Sequence, residues 1–325
     1  KHPDHLKTYN QMALIALKEN DRSSVIKWLK KAVETNPKVL SAKLILASQY
    51  LQDKDANLAI QLLQSVENED KKQPGYILLM AKAKILVGEY QHAIRALKVL
   101  LVEQPKLNSA LILLARSYAE QNEKDKMREV LNDVIKYSPD NFTVNILLAR
   151  LDLLERRVDD FKRRVGFLIK NYPNNKDVQF LNAKVQSSEK NYDYAIKTLT
   201  EIMVEIPDSD VVIDLAKNQW SIGDKSSAIS GLELWLQDNV TDNRVLMLLA
   251  QFYLAENRTP EARRTYQSLD ALVPDNAVVL NNLAWLMKDT DVKKGIFYAE
   301  KALKKEPDSP FIQDTLAMLL LENGE

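Results

Sequence analysis

Apolar residues recur along the chain at the spacing of amphipathic helices. In the stretch 108–139, a first stripe with i, i+3, i+4, i+7 spacing consists of Leu111, Leu114, Ala115 and Tyr118. After a polar turn at 120–123, a second stripe consists of Met127, Leu131, Val134 and Ile135. Pro139 ends the second helix, because proline cannot supply the next helical N–H. The stretch is therefore predicted to be a hairpin of two helices.

The small residue in the middle of the first helix recurs along the whole chain. The series is Ala13, Ala47, Ala81, Ala115, Ala149, Ala183, Ala216, Ala250, Ala284 and Ala317. Seven of its nine steps are 34 residues and two are 33, and prolines keep the same register at Pro105, Pro139, Pro173 and Pro207. A fixed period of this length predicts stacked helical hairpins, in which a small side chain lets the two helices approach closely.

Further marks accompany the alanine. An aromatic residue follows three positions later in several repeats, as at Tyr50, Tyr118 and Tyr253. A second small residue follows about twelve positions later, at Ala59, Ala93, Ala195, Ala228 and Ala262. With the terminal proline, this pattern resembles the tetratricopeptide repeat family over nearly the entire chain. The sequence departs from the pattern at single positions: Phe161, Asn182 and Val240.

The resemblance implies an all-α fold: a right-handed superhelical solenoid of stacked helix-turn-helix repeats, with about nine full repeats and a partial tenth. We predict one solenoid over residues 1–325. The repeats are expected at 6–37, 40–74, 75–105, 108–139, 142–173, 176–207, 209–240, 243–274 and 277–307, with the partial one at 310–325. The tenth stops before its second helix, which favours an interrupted hairpin over a lone capping helix. A charged insert at 67–73 is expected to form a longer exposed turn.

Composition and motifs reduce the number of function classes that the sequence is compatible with. Lys and Arg total 45, as do Asp and Glu, so no overall basic field favours nucleic acid as a partner. The chain has no cysteine and only three histidines, and its seven glycines form no phosphate-binding loop. No apolar run approaches the roughly 18–20 residues of a membrane span. We therefore predict a protein that is not an enzyme, with no catalytic residues, metal or cofactor.

One face of the first helices is the candidate ligand site. The residue after each alanine is turned by about 100° toward the concave groove expected of stacked hairpins. Five consecutive repeats place a cation there: Lys82, Arg116, Arg150, Lys184 and Lys217. Four residues earlier in the chain lie apolar residues: Leu78, Ile112, Ile146, Phe180, Ile213 and Met247.

We call these two series the basic ladder and the apolar rail. The hypothesis is that they bind an extended, partly acidic protein segment. The alternative is that the cations pair with neighbouring helices or are solvated. Dense mixed charge between Arg150 and Lys170 is expected to be a solvated helix surface.

The C-terminal part has a narrower resemblance. Residues 274–285, 298–302, 307–310 and 314–317 are similar to bacterial tetratricopeptide proteins of envelope and exopolysaccharide systems, particularly lipoproteins linked to exosortase sorting. This resemblance implies a periplasmic scaffold, associated with the outer membrane, that helps to assemble or export a polysaccharide. An anionic polysaccharide then becomes a second candidate partner.

Two other functions stay open at this point. The repeats are also compatible with the recognition arm of a larger enzyme, such as a glycosyltransferase. A self-association module is the third hypothesis, with Trp220 and Trp235 facing a second copy. Tryptophans in such arrays more often lie in the core between repeats, and the sequence leaves the oligomeric state undecided.

Overall fold

The structure is a computed structural model, and it describes residues 4–324 as helical hairpins in two compact units. Residues up to Arg164 form the first unit. Its helices, with α10 crossing the boundary, are α1 (Asp4–Lys18), α2 (Arg22–Thr35), α3 (Leu40–Gln52), α4 (Ala56–Gln64), α5 (Pro74–Leu86), α6 (Tyr90–Glu103), α7 (Asn108–Glu120), α8 (Lys124–Tyr137), α9 (Phe142–Leu154) and α10 (Val158–Asn171). The charged insert contains a short 3-10 turn at Asp70–Lys72.

Residues from Val165 form the second unit. Its remaining helices are α11 (Lys176–Ser188), α12 (Tyr192–Glu205), α13 (Ser209–Ser221), α14 (Lys225–Asp238), α15 (Asn243–Ala255), α16 (Thr259–Leu272), α17 (Ala277–Met287), α18 (Val292–Lys305) and α19 (Pro310–Asn323). The next helix in the chain packs as the hairpin partner of each of α1, α3, α5, α7, α11, α13, α15 and α17, and α19 packs on α17 and α18. A tight turn and the ion pair between Asp152 and Arg164 connect α9 to α10. The predicted all-α fold of helical repeats is confirmed.

The recurring alanines lie where the two helices of a hairpin meet. From Ala47 to Ala284 they are at most 2% exposed, whereas Ala317 on α19 is exposed. The second small residue is equally buried at Ala59, Ala93, Ala195, Ala228 and Ala262. Because neither helix carries a bulky side chain at the crossing, the leucines of the second helices close the core, as Leu63, Leu97, Leu131 and Leu199 do.

A residue in the left-handed conformation reverses the chain inside eight hairpins. These residues have φ between 56° and 88°: Asn20, Lys54, Gly88, Asn122, Arg156, Lys190, Gly223 and Asn257. In each hairpin, the next N–H donates to the carbonyl five residues back, as Asn191 N does to Gln186 O at 2.9 Å. This is the Schellman arrangement, which satisfies the last carbonyls of the first helix. Asparagine and glycine adopt it easily, but lysine and arginine do so under strain.

Replacing Lys190 by glycine should therefore stabilise the α11–α12 hairpin. Glycine has no Cβ to strain the left-handed backbone, so we expect a gain of about 0.5–1 kcal/mol after the larger entropy of the unfolded glycine is subtracted. Hydrogen exchange of α11 and α12, together with the thermal midpoint, measures it. Lys190→Ala is the matched control, since it removes the exposed side chain but keeps the Cβ. An equal gain in both variants would contradict the strain explanation.

The ninth hairpin meets its neighbour at a glycine. Gly295 on α18 is buried, and a Cβ there would lie 3.0 Å from the Ala284 carbonyl oxygen and 3.3 Å from a Leu319 methyl carbon. The Ala284 carbonyl of α17 and the Leu319 side chain of α19 therefore both pack against Gly295. A side chain at position 295 would push α18 away from both helices.

We expect Gly295→Val to destabilise the end of the second unit by about 1–3 kcal/mol, because overpacking forces neighbouring helices apart. The control is Gly231→Val on α14, where a Cβ would meet no atom within 4 Å. That variant should be near neutral, since valine is a slightly better helix former than glycine. Urea unfolding followed by circular dichroism compares the two. Equal losses in the two variants would contradict the packing explanation for position 295.

Candidate functional site

In the first unit, the basic ladder lies at equivalent positions of α5, α7 and α9. Lys82 is half-buried, whereas Arg116 and Arg150 are exposed. Each follows a fully buried alanine by one residue, so the helical turn that buries the alanine directs the next residue away from the hairpin partner. We call the surface formed by the odd-numbered helices of a unit its first-helix face.

The apolar rail of the first unit belongs largely to the core. Leu78 and Ile112 are half-buried against the core of the hairpins, and Ile146 is 7% exposed. More accessible apolar side chains lie four residues after a ladder cation, at Leu86 on α5 and Leu154 on α9. The equivalent residue of α7 is Glu120. Sequence reasoning missed these leucines, although continuing each helix by one turn beyond the cation would have found them.

A buried ion network holds α9 between its neighbours. The Asp152 carboxylate is fully buried and accepts from two arginines. Arg128 on α8 donates to Oδ1 at 2.7 Å, and Arg164 on α10 donates to Oδ2 at 3.1 Å. Arg128 also donates to Glu155 at 2.8 Å, and Arg164 donates to Asn145 Oδ1 at 3.2 Å. The expectation of a purely solvated surface between Arg150 and Lys170 is thus not met at Asp152 and Arg164.

A departure from the repeat pattern lies on the same pair of helices. Phe161 on α10 takes the position of the second small residue and is buried. Arg164, three residues after Phe161, joins α10 to the Asp152 carboxylate. The ion network thus links α8, α9 and α10 where one of the small residues is missing.

Removing the Asp152 carboxylate should destabilise the first unit. Asp152→Ala leaves two mostly buried guanidinium groups without their shared anion, which costs about 3 kcal/mol or more. The control is Asp133→Ala on α8, which breaks the exposed pair between Asp133 and Lys136 and should cost about 0.5 kcal/mol or less. Urea unfolding with hydrogen exchange of α8–α10 measures both. A loss for Asp152→Ala as small as the control's would mean that the arginines are resolvated without penalty.

In the second unit, acidic residues accompany the ladder cations. Lys184 on α11 forms an ion pair with Asp214 on α13, and its ammonium lies 4.7 Å from the centre of the Phe180 ring. Lys184 therefore follows the alternative hypothesis, in which the ladder cations form ion pairs with neighbouring helices. Lys217 on α13 is exposed and has no carboxylate partner in the described part of the chain. Within this unit, one ladder cation is therefore neutralised by a carboxylate and the other is not.

A cavity of about 430 Å³ opens on the first-helix face of the second unit. It brings together one ladder cation, two rail residues and the glutamine at the next ladder position: Lys217, Ile213, Met247 and Gln251. Arg244, which sequence reasoning missed, lies at its rim and forms an ion pair with Asp210. This hydrogen bond raises the pKa of the Arg244 guanidinium above its ordinary value. Phe180 does not line this cavity.

The two tryptophans singled out for self-association are engaged within the second unit. Trp220 stacks on Phe252 with ring centres 4.0 Å apart, and both pack in the largest cluster of that unit. The Trp235 indole N–H donates to Asp242 at 2.9 Å. Both tryptophans are partly buried and bonded or stacked within the unit, which favours the core interpretation.

Few groups suited to catalysis are assembled by the fold. Among the side chains of residues 6–324, no three histidine or acidic groups come close enough to hold a metal ion. His92 lies on α6 with its Nδ1 3.1 Å from Glu89, whose pKa is lowered mainly by the hydrogen bond from Lys84. In the same range, every helix is too short or too polar to cross a bilayer.

The repeated hairpins, with small residues at most crossings, define an all-α helical repeat protein. Two family models match parts of the chain. Residues 18–100 match the model described as anaphase-promoting complex, cyclosome, subunit 3, and residues 109–141 match a tetratricopeptide repeat model. A search of curated proteins finds no match.

Solved structures share this fold. The crystal structure of the APC/C hetero-tetramer Cut9-Hcn1 has a TM-score of 0.59 and 14% identity, covering 92% of this chain and 52% of that chain. The human IFIT1 dimer with PPP-AAAA has a TM-score of 0.63 and 19% identity, covering 98% and 82%. A tetratricopeptide repeat protein from Parabacteroides merdae ATCC 43184 has a TM-score of 0.54 and 14% identity, covering 87% and 99%.

At these sequence identities, the solved structures resemble this chain in fold alone. This chain spans about half the length of the Cut9-Hcn1 chain that it matches. The family model at residues 109–141 supports a tetratricopeptide repeat in that stretch, and the solved structures show that the rest of the chain shares the helical-repeat fold. Such repeats suggest a scaffold for protein–protein interaction.

Proposed function

We propose that this chain is a non-enzymatic scaffold that binds an extended, partly acidic segment of a partner protein on its first-helix faces. The observation that carries the proposal lies within the first unit. Arg116 and Arg150 are exposed at equivalent positions of α7 and α9, with Lys82 half-buried on α5. Exposed leucines lie one helical turn beyond two of these cations, at Leu86 and Leu154.

The chemistry of this face suits a segment with alternating acidic and apolar side chains. Guanidinium and ammonium groups form charge-assisted hydrogen bonds with carboxylates, while leucine side chains gain from burial against apolar residues. Regular spacing along stacked repeats matches a partner that is extended rather than compact. Because the cations are exposed, each contributes modestly, and affinity depends on several acting together.

The test uses a fluorescein-labelled dodecapeptide in which glutamate alternates with leucine. In the variant Lys82→Glu, Arg116→Glu and Arg150→Glu, we expect affinity measured by fluorescence anisotropy to fall at least about 100-fold, since three attractive contacts become repulsive. Salt dependence of binding should also weaken.

The matched control reverses three exposed cations elsewhere in the same unit: Lys30, Lys38 and Arg95. This control changes the net charge by the same amount, so its affinity should stay within a few fold of the parent's. If the two triple variants lose affinity equally, net charge alone drives binding and the first-helix face is not the site.

The resemblance of the C-terminal part supports a narrower version, in which the scaffold serves a bacterial envelope or exopolysaccharide assembly system in the periplasm. An anionic polysaccharide would then compete for the same cations. Alginate, compared with uncharged dextran as competitor of the labelled peptide, separates this version from a purely protein-binding one. Displacement by alginate and not by dextran is the expected result, and it should be lost in the first-helix-face triple variant.

A further inference from the structure

The cavity in the second unit differs in character from the cationic face of the first. Its floor consists of apolar residues from four helices that are at most 8% exposed: Ile213, Leu248, Leu269 and Val279. Val273, after the end of α16, and Met247 on α15 complete the apolar lining. A concave apolar floor of about 430 Å³ lies within the size range of sites that bury a ligand group.

Polar groups are confined to the rim of the cavity. They are the amides of Asn243, Gln251 and Asn276 and the cations Lys217 and Arg244. Asp210 neutralises Arg244 through their ion pair, whereas Lys217 has no carboxylate partner among the described residues. The rim therefore carries one uncompensated positive charge beside an apolar floor. Such a site complements a group that combines an apolar body with a neighbouring anion.

Met247 gives the cavity the capacity to adjust its shape. Its side chain is half-buried and packs against the core of the second unit. An unbranched thioether changes rotamer at low cost and packs favourably against aromatic rings. A planar ring entering between α13 and α15 would find a polarisable group on its wall.

The apolar surface continues from the cavity along α17. Val278 and Trp285 lie seven residues apart, on the same side of this helix, and each is half exposed. Trp285 takes in α17 the position that Gln251 takes in α15, one repeat further on. On α19, Phe311 is largely exposed. The first-helix face of the second unit thus changes from cationic at α13 to apolar and aromatic at α17 and α19.

From this arrangement we propose that the cavity is an anchor site for one large apolar or aromatic side chain of a partner segment, whose adjacent carboxylate binds Lys217. The segment lies with its acidic residue toward α13 and further apolar residues toward Trp285. This assignment rests on the proposed function, because it names the chemistry and direction of a segment bound by the scaffold. A buried apolar anchor surrounded by polar contacts is the arrangement that concentrates binding energy at protein interfaces.

The experiment uses the full chain and a labelled hexapeptide with a glutamate next to a phenylalanine and a leucine after it. Fluorescence anisotropy gives its affinity for the parent protein, and ¹³C-methyl NMR follows Met247. We expect the Met247 methyl signal to shift and saturate with peptide. Replacing the peptide phenylalanine by alanine should lower affinity at least about tenfold, and replacing glutamate by glutamine about three- to tenfold.

Two protein variants test the apolar part of the cavity and the positive charge at its rim. Met247→Trp fills the opening and should abolish binding. Lys217→Glu, at an exposed position that leaves the core intact, should lower affinity at least about tenfold. Lys197→Glu on α12 is the matched control, since it reverses another exposed cation of the same unit and should change affinity less than about twofold. Circular dichroism checks that each variant stays helical. If Met247→Trp loses helix content, the affinity of Lys217→Glu alone tests the anchor site.

Other outcomes overturn the anchor site. They are unchanged affinity in both cavity variants, equal affinity of the alanine peptide, and absence of any Met247 shift at saturation. A Met247 shift that depends on protein concentration without peptide would identify a second copy of the chain as the occupant. None of these results bears on the triple reversal in the first unit, so the anchor site can fail while the scaffold function stands.

Discussion

In most hairpins the two helices approach closely because both have small side chains where they cross. Alanine at this point is almost fully buried from Ala47 to Ala284, and a second alanine or glycine usually faces it from the other helix. The close approach fixes which residues of the first helix turn inward. It thereby fixes which residues are left for the first-helix face, since one residue rotates the helix by about 100°. Packing and candidate function are thus linked by the helical period.

The exceptions show what this constraint requires. In the fifth hairpin Phe161 takes the place of the second small residue, and a buried carboxylate, Asp152, joins three helices through two arginines. In the ninth, Gly295 lets the Ala284 carbonyl and Leu319 approach the same point of α18. The first case combines a bulky ring with a buried ion network, and the second combines a missing Cβ with a close helix contact. Each occurs where the alanine pair is incomplete.

The same constraint separates packing from ligand binding on the first-helix faces. Rail residues lie one turn before the cations and are largely buried, as Ile146 is. Apolar side chains available to a partner occur instead one turn after the cation, at Leu86 and Leu154, or around the cavity beside Lys217. In the second unit, Asp214 on α13 neutralises Lys184 of the ladder. The two units consequently offer different surfaces, one cationic with exposed leucines and one with an apolar cavity.

The sequence by itself determined the all-α fold, the hairpins and their register. These follow from local properties repeated every 33 or 34 residues: helical spacing of apolar residues, small residues at the crossings and prolines after the second helices. It also placed the ladder cations on one side of their helices, because that requires only the helical period. Only the tertiary structure decided which cations are paired, as Lys184 is with Asp214, and which apolar residues are covered. Such outcomes depend on side chains that are distant in the chain, such as Arg128 and Asp152, and no local pattern encodes their contact.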